Sequence, residues 1–433
     1  MKEIAQRIFR NTLAAVDVRV ALEYKLERHG TFIHAAGQHI DLRQYREILA
    51  VAVGKAAFAM AEGLDAVLAP DFRARGVLAI PSPPARALPG WEILVSGHPV
   101  PTAASLAAGE AILKLLKQTT DHTLIFFLLS GGGSSLVECP LDPKISLADF
   151  QQMHHVLVTC GAPIEEINAI RKHLSATKGG RLALAAPDAM KITLGITDVP
   201  EGHESALASG PTLPDPTTIS DVERIVARYS LAEKLPASIR AIIESRSLVE
   251  TPKLGDPAFR RAHFALLLGM HDLIHHAHYA AEAEGFQCVC DYSTDNWPIE
   301  RAADHLLALL ESLRSENPGK RVAVIADGEV SSPVTGDGIG GRNSAFVLAC
   351  VSRIASRKIA VLSAGTDGVD GNSPAAGAVA DGETLARAGA IMLNPDDYFR
   401  RSDSFTFFER FGDAVLTGPT GNNLRDLRLL LAW

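Results

Sequence analysis

Thr123-Leu-Ile-Phe-Phe-Leu-Leu-Ser-Gly-Gly-Gly-Ser-Ser135 is the stretch whose reading decides the fold. An unbroken apolar run opens into three glycines flanked by serines. Such a run reads as a strand covered on both faces, ending in a tight polar turn. The pattern recurs at Ile48-Leu-Ala-Val-Ala-Val53 before Gly54-Lys55, at Lys191-Ile-Thr-Leu-Gly-Ile196 before Thr197-Asp198, and at Phe264-Ala-Leu-Leu-Leu268 before Gly269. It returns at Arg321-Val-Ala-Val-Ile325 before Ala326-Asp-Gly-Glu329, and at Lys358-Ile-Ala-Val-Leu362 before Ser363-Ala-Gly-Thr-Asp367. Amphipathic stretches at helical spacing separate these runs. Strands alternating with helices predict parallel sheets covered on both faces, an α/β fold with a Rossmann-like, mostly parallel sheet domain and a smaller α/β domain. In such sheets ligands sit beyond the carboxyl ends of the strands, and the unusual polar residues fall there.

The alternation weakens between Pro236 and His263, where Thr251-Pro252, Gly255-Asp-Pro257 and Arg260-Arg261 read as a connector. The expected division is therefore 1–250 and 251–433, with the last roughly twenty residues free to pack on the N-terminal domain.

The 433 residues are 47% hydrophobic and 21% charged, enough apolar material for two or more cores. The formal charge of −8 comes without any block of like charges, which argues against a nucleic-acid face. The longest apolar runs fall short of the ~18 residues a membrane span needs. Met1-Lys-Glu-Ile-Ala-Gln-Arg-Ile8 mixes charges with apolar residues at helical spacing and lacks a signal core. Five irregularly spaced cysteines fit the cytoplasm better than a disulfide framework or a zinc site.

Several strand ends carry candidate chemistry. At Ser130-Gly131-Gly132-Gly133-Ser134-Ser135, glycines that accept positive φ converge backbone N–H groups on one point, and the serines add hydroxyl donors; this suits an anion, although a tight turn alone would also use the glycines. Lys55 opens a helix after Gly54, where a cation can hold a phosphate or a carboxylate; the Gly and Ser/Thr that a Walker loop requires are absent. Gly336-Asp-Gly338-Ile-Gly-Gly341 formally matches a dinucleotide fingerprint, which keeps a nicotinamide enzyme open, but the strand before it ends far upstream. Arg342-Asn343 at the following helix start offers a phosphoryl clamp instead. Asp198 and Asp367 stand at strand ends, where a carboxylate can accept a hydroxyl proton or hold Mg²⁺ on substrate phosphates, or serve only as a turn cap. His271, His275, His276 and His278 lack a matching partner set for a metal.

Together these segments resemble the class II glycerate kinases, the MOFRL-type glycerate 2-kinase family, some members of which have been labelled hydroxypyruvate reductases. The resemblance runs over nearly the whole chain. It rests on Val53-Gly-Lys-Ala-Ala57, Gly97-His-Pro-Val-Pro-Thr102, Leu129-Ser-Gly-Gly-Gly-Ser-Ser-Leu136, Asn168-Ala-Ile-Arg-Lys-His-Leu-Ser175, Lys178-Gly-Gly-Arg181, Ile196-Thr-Asp-Val-Pro200, Ser209-Gly-Pro-Thr212, Gly340-Gly-Arg-Asn343, Gly365-Thr-Asp-Gly-Val-Asp-Gly371 and Thr417-Gly-Pro-Thr-Gly-Asn-Asn-Leu424. It implies an active site in a cleft between two α/β domains, with ATP and a divalent cation phosphorylating D-glycerate at O2. On this resemblance Lys55 and Arg342 are the essential cations and Asp198, Glu329 and Asp367 the active-site acids. Asn423 is the cleft asparagine, and Ser130–Ser135 is the turn that binds phosphate or the substrate carboxylate. A homodimer is a further expectation. Ser344-Ala345 stand where the family usually has Gln-Glu, so a kinase for a related 2-hydroxy acid stays open beside an NAD(P)-dependent hydroxypyruvate or glycerate oxidoreductase.

Overall fold

The computed structural model describes residues 1–84, 86–197, 202–422 and 424–433. The chain divides into two compact units, Val18–Leu268 and Met1–Asp17 together with Gly269–Trp433.

The first unit opens with a small antiparallel sheet of β1 (Arg28–His29), β2 (Phe32–Ala35) and β3 (Gln38–Asp41). Its main sheet contains β4 (Glu47–Val53), β5 (Arg75–Ile80), β6 (Trp91–Val95), β7 (Thr123–Leu129), β8 (Met190–Thr197) and β9 (Ala262–Gly269), in the order β6-β5-β4-β7-β8-β9. The β6-β5, β5-β4, β4-β7 and β7-β8 pairings are parallel. Every residue of β7 and β8 is buried, as the unbroken apolar runs require of strands with helices on both faces. One core lies where Val51, Phe127 and Leu129 meet Ala108, Ile112 and Leu116 of the helix Ala103–Leu116. A second, all-helical core gathers Phe150, Leu157, Ile170, Val222 and Ile239. From β4 the chain moves outward to β5 and β6, then returns to the other side of β4 as β7. The order therefore reverses between β4 and β7, and a parallel sheet opens a crevice at such a point.

The second unit holds β10 (Phe286–Asp291), β11 (Arg321–Asp327), β12 (Ile359–Gly365), β13 (Gly377–Asp381), β14 (Ala414–Val415) and β15 (Asp426–Ala432), in the order β10-β11-β15-β12-β13-β14. Here the expectation of a parallel sheet fails. Only β10-β11 is parallel; β11-β15, β15-β12, β12-β13 and β13-β14 are antiparallel. The Leu/Arg-rich tail, left free to pack on either domain, is the fully buried β15 inserted between β11 and β12. The helix Ile299–Glu316 and the helix Arg342–Val351 bury Leu306, Leu310, Phe346 and Val347 against the strands. The N-terminal helix Lys2–Ala15 packs on the helix Met270–Ala283 and on β12 and β13. Lys2 Nζ is 2.9 Å from Asp413 Oδ2, and Arg7 Nε is 2.6 Å from Glu284 Oε1.

The division at 250/251 is thus displaced. Residues that read as a connector are tied into the first unit: Thr251 Oγ1 donates to Asp215 Oδ2 at 3.0 Å, Asp215 N to Pro252 O at 3.1 Å, and Lys191 N to Arg261 O at 2.7 Å. Those bonds carry the chain into β9 at the sheet edge. The first 17 residues join the other unit because their apolar face is covered there.

Candidate active site

In the first unit the register pairs Val53 with Leu129, so β4 and β7 end side by side at the reversal point. Their turns interlock. Ser130 N donates to Val53 O at 2.9 Å, Lys55 N to Gly131 O at 3.0 Å, and Ala56 N to Ser130 Oγ at 3.0 Å. Gly54 has φ +128°, and a Cβ there would lie 2.2 Å from Ser130 Oγ, so only glycine lets the two turns approach. The Ser130 hydroxyl, fully buried, serves this junction rather than facing outward. Lys55 is exposed just before the helix Ala57–Leu68.

Gly132 has φ +84° and precedes a single helical turn, Gly133–Leu136. A Cβ on Gly132 would meet the His98 ring at 2.9 Å and Lys55 Cγ at 3.6 Å, so turn, imidazole and lysine stem are neighbours. Ser134 Oγ lies 2.8 Å from Ser209 Oγ, whose hydroxyl also reaches Asn168 Oδ1 at 3.3 Å, and Ser135 Oγ donates to Gly132 O at 3.4 Å. Beside the turn is a cavity of about 180 Å³, lined among others by His98, Gly132, Ser134, Ser135, His154 and Arg171.

Behind it stands a buried charged scaffold. Lys178 Nζ donates to Glu138 Oε2 at 2.6 Å and to Val137 O at 3.1 Å; burial pushes this ammonium's pKa down, and Glu138 opposes the shift. Lys172 Nζ is 3.1 Å from Asp215 Oδ1, and His173 Nε2 is 2.9 Å from Glu250 Oε1. These contacts explain why Arg-Lys-His173 and Lys178-Gly-Gly-Arg181 occur as dense polar motifs. Lys172, His173 and Lys178 hold helix and loop together from inside, where a buried charge must be paired.

In the second unit Arg342 is the first residue of the helix Arg342–Val351. Asp370 receives that helix start: Asn343 N donates to its Oδ1 and Ser344 N to its Oδ2, both at 2.9 Å, with Ser344 Oγ at 2.6 Å. A carboxylate at a helix N-terminus satisfies orphan donors and favours the dipole. Ser344, the departure from the family pattern, is therefore buried on Asp370 and Ser404. The Arg342 guanidinium is clamped on two sides, with Nε 2.5 Å from Asp426 Oδ2 and NH2 2.6 Å from Glu329 Oε1. Burial weakens its hold on the proton, but Asp426 and Glu329 outweigh that and raise its pKa. Glu329 N in turn donates to Asp295 Oδ1 at 2.8 Å, and Arg425 NH2 lies 2.7 Å from Asp295 Oδ2. A Cβ on Gly365 would sit 3.1 Å from Asp367 Oδ1 and 3.4 Å from Asp426 Oδ1, so those carboxylates crowd one glycine. The Asp367 main-chain carbonyl accepts from Thr420 N at 3.1 Å, which joins its loop to Thr417–Gly421.

The structure thus brings Lys55 together with Gly131, Gly132 and Gly133 in one unit, and Arg342, Glu329 and Asp367 together in the other. Asp198 and Asn423 lie outside the described residues. Among the described residues no group of three His, Cys, Asp or Glu side chains is placed to hold a metal ion. The glycines of the dinucleotide-like loop serve packing within the protein: a Cβ on Gly336 or Gly338 would lie 2.4 Å or 2.7 Å from Arg401 O, and one on Gly341 2.3 Å from Asp370 Oδ1. Sequence reasoning missed Asp426. The apolar runs point to carboxyl ends of parallel strands, whereas antiparallel β15 brings its amino end to the same edge, with Asp426 opposite Gly365 and Leu427 opposite Asp327. Arg171 lies within the Asn168–Ser175 motif, whose pattern alone assigns it no role.

Residues 4–244 match the model of a domain of unknown function, DUF4147, and residues 322–426 match that of the MOFRL family. The chain is 33% identical over 383 residues to the D-glycerate 2-kinase of Thermotoga maritima, covering 88% of this chain and 89% of that protein. It is 34% identical over 437 residues to a putative hydroxypyruvate reductase of Agrobacterium vitis, covering 99% and 94%. A crystal structure of glycerate kinase from Thermotoga maritima superposes with a TM-score of 0.86 at 31% identity, over 100% of this chain and 99% of that one.

Proposed function

The chain belongs to the glycerate kinase family whose members join a DUF4147 half to a MOFRL half, and on that premise we propose that it transfers the γ-phosphoryl group of ATP to O2 of D-glycerate, giving 2-phosphoglycerate and ADP. The observation that carries the reading is the exposed Lys55 at the reversal point of a parallel sheet, packed against the Gly131–Gly133 turn. Phosphoryl transfer asks a protein chiefly for positioning and charge neutralisation. Lys55 and the N–H groups of the turn draw the phosphates or the substrate carboxylate. Arg342 stabilises the charge spread over the moving phosphoryl oxygens, its planar fork held by Glu329 and Asp426. O2 forms its bond to the γ-phosphorus as the bond to ADP breaks, and Asp198 takes the hydroxyl proton.

Mg²⁺ usually binds through one or two carboxylates plus substrate phosphates rather than in an all-protein cage, and the donor set agrees with that style. Asp367 would hold the ion, with Glu329 shared between it and Arg342; the ion would supply charge neutralisation on the phosphates. A cytoplasmic location accords with the use of ATP; among the described residues no helix is long and apolar enough to cross a membrane.

The test pairs ADP detection with absorbance at the NADH band. With ATP and D-glycerate, ADP is expected to appear with a product whose phosphorus couples to the C2 proton by NMR. Consumption of NAD(P)H with hydroxypyruvate, and no ADP, would overturn the reading.

A further inference from the structure

The cavity beside the glycine turn contains a charge that the mechanism above leaves unused. Arg171 lies on the helix Ile164–Leu174 and is only 9% exposed, yet it lines the cavity. Arginine offers five N–H donors and no acceptor. Among the described residues one side-chain atom receives from it, His154 Nδ1 at 2.8 Å. Because arginine can only donate, Nδ1 must be the bare nitrogen, so His154 is neutral with its proton on Nε2. Burial and then the arginine's own charge lower that imidazole's pKa, in agreement with a neutral ring.

No carboxylate among the described residues forms an ion pair with Arg171. Glu138 lines the same cavity, but its oxygens are taken: Oε2 by Lys178 Nζ at 2.6 Å, and Oε1 by the Ser175 hydroxyl and by Cys139 N at 3.0 Å. Lys178, behind the cavity, takes up Glu138, so this cluster holds two cations for one carboxylate. Buried guanidinium groups are ordinarily paired, and carboxylate is the partner whose shape matches the fork. Size narrows the choice. Pockets for drug-sized ligands run from roughly 300 to 1,000 Å³, and this one of about 180 Å³ suits an acid of a few carbons rather than a nucleotide.

We propose that Arg171 is the carboxylate anchor of the acceptor site, holding a small 2-hydroxy acid in this cavity with its hydroxyl end toward Gly132 and Lys55. Ser134 and Ser135 line the same cavity, their hydroxyl oxygens able to accept from the acid's hydroxyl. The inference rests on the kinase reading for its choice of D-glycerate as ligand. It assigns the acceptor's carboxylate to Arg171 and leaves Lys55 to the phosphoryl group.

The test compares wild type with Arg171→Lys and Arg171→Met, reading KM for D-glycerate, KM for ATP and the ligand-induced rise in Tm without nucleotide. In Arg171→Met the KM for D-glycerate is expected to rise on the order of 10- to 100-fold, while that for ATP stays within about twofold. D-glycerate should raise the Tm of wild type and not of this variant, and Arg171→Lys should fall between the two. Glyceramide, which lacks the carboxylate, should leave wild-type Tm unmoved; this arm needs no variant to fold. An unchanged KM for D-glycerate in Arg171→Met, or glyceramide binding wild type as well as D-glycerate does, would overturn the proposal. If wild type makes no ADP with D-glycerate while glycolate or lactate still raises Tm through Arg171, the kinase reading falls and the anchor stands.

Discussion

Lys55 and Arg342 carry similar charge in different settings, and their alanine variants should differ accordingly. Lys55 is exposed, so Lys55→Ala is expected to lower kcat by about 100-fold or more with a smaller fall in Tm than Arg342→Ala. Arg342 is also a structural partner. Removing it strands Asp426, whose side chain is 3% exposed, and breaking a buried pair by removing one partner costs about 3–5 kcal/mol. Arg342→Ala should therefore lose both turnover and stability, seen as a reduced kcat together with a lower Tm. Equal Tm values for the two variants would show that the Glu329–Arg342–Asp426 clamp bears no load. At this scale the sequence was legible where chemistry follows a strand run: Lys55 and the glycines after β7 stand where the apolar runs stop. Asp426 was not legible, because its place at the edge depends on a strand direction that no local pattern encodes.

The helix Arg342–Val351 depends on a carboxylate supplied by another loop. Asp370 accepts from the first turn through both oxygens, which aims Arg342 from a fixed helix start. Asp370→Ala should cost about 1–2 kcal/mol in denaturant unfolding, as lost caps do. It should also lower kcat without touching any group assigned to substrate. A variant of wild-type stability would remove the cap from the account of Arg342's placement. Among the elements, the six strands expected from apolar runs all form; in β7 and β8 burial on both faces writes itself into composition, while the edge strand β9 is only half-buried over much of its length. The fingerprint-like glycines misled for a physical reason: Gly336 and Gly338 look the same whether a pyrophosphate or the backbone at Arg401 approaches them.

At the scale of the whole molecule, stability and topology are tied to residues that first read as linker and tail. Glu250 lies in the expected connector, yet it receives His173, Lys253 and the N–H groups of Ile219 and Thr251. Burial pushes its carboxyl up, but these donors prevail and bring it from the ordinary 4.5 down to about 2. A folded-state pKa below the unfolded one contributes stability that is complete above the unfolded value and is lost as pH falls between the two. Glu250→Gln should therefore be less stable than wild type at pH 7, with the gap closing as pH drops from about 4.5 toward 2; a gap independent of pH would refute the assignment. The first unit runs on past residue 250 to Leu268, and the polar tethers that hold this stretch, such as Thr251 on Asp215, leave no hydrophobic signature. Synthesis on the ribosome makes the arrangement of the second unit consequential. At about 5–20 residues per second, Val18–Leu268 has time to close while translation continues. The helix Lys2–Ala15 and the strand Asp426–Ala432 lie on opposite sides of that half in the chain yet belong to one unit, so the other half zips shut only after its late segment joins its early one.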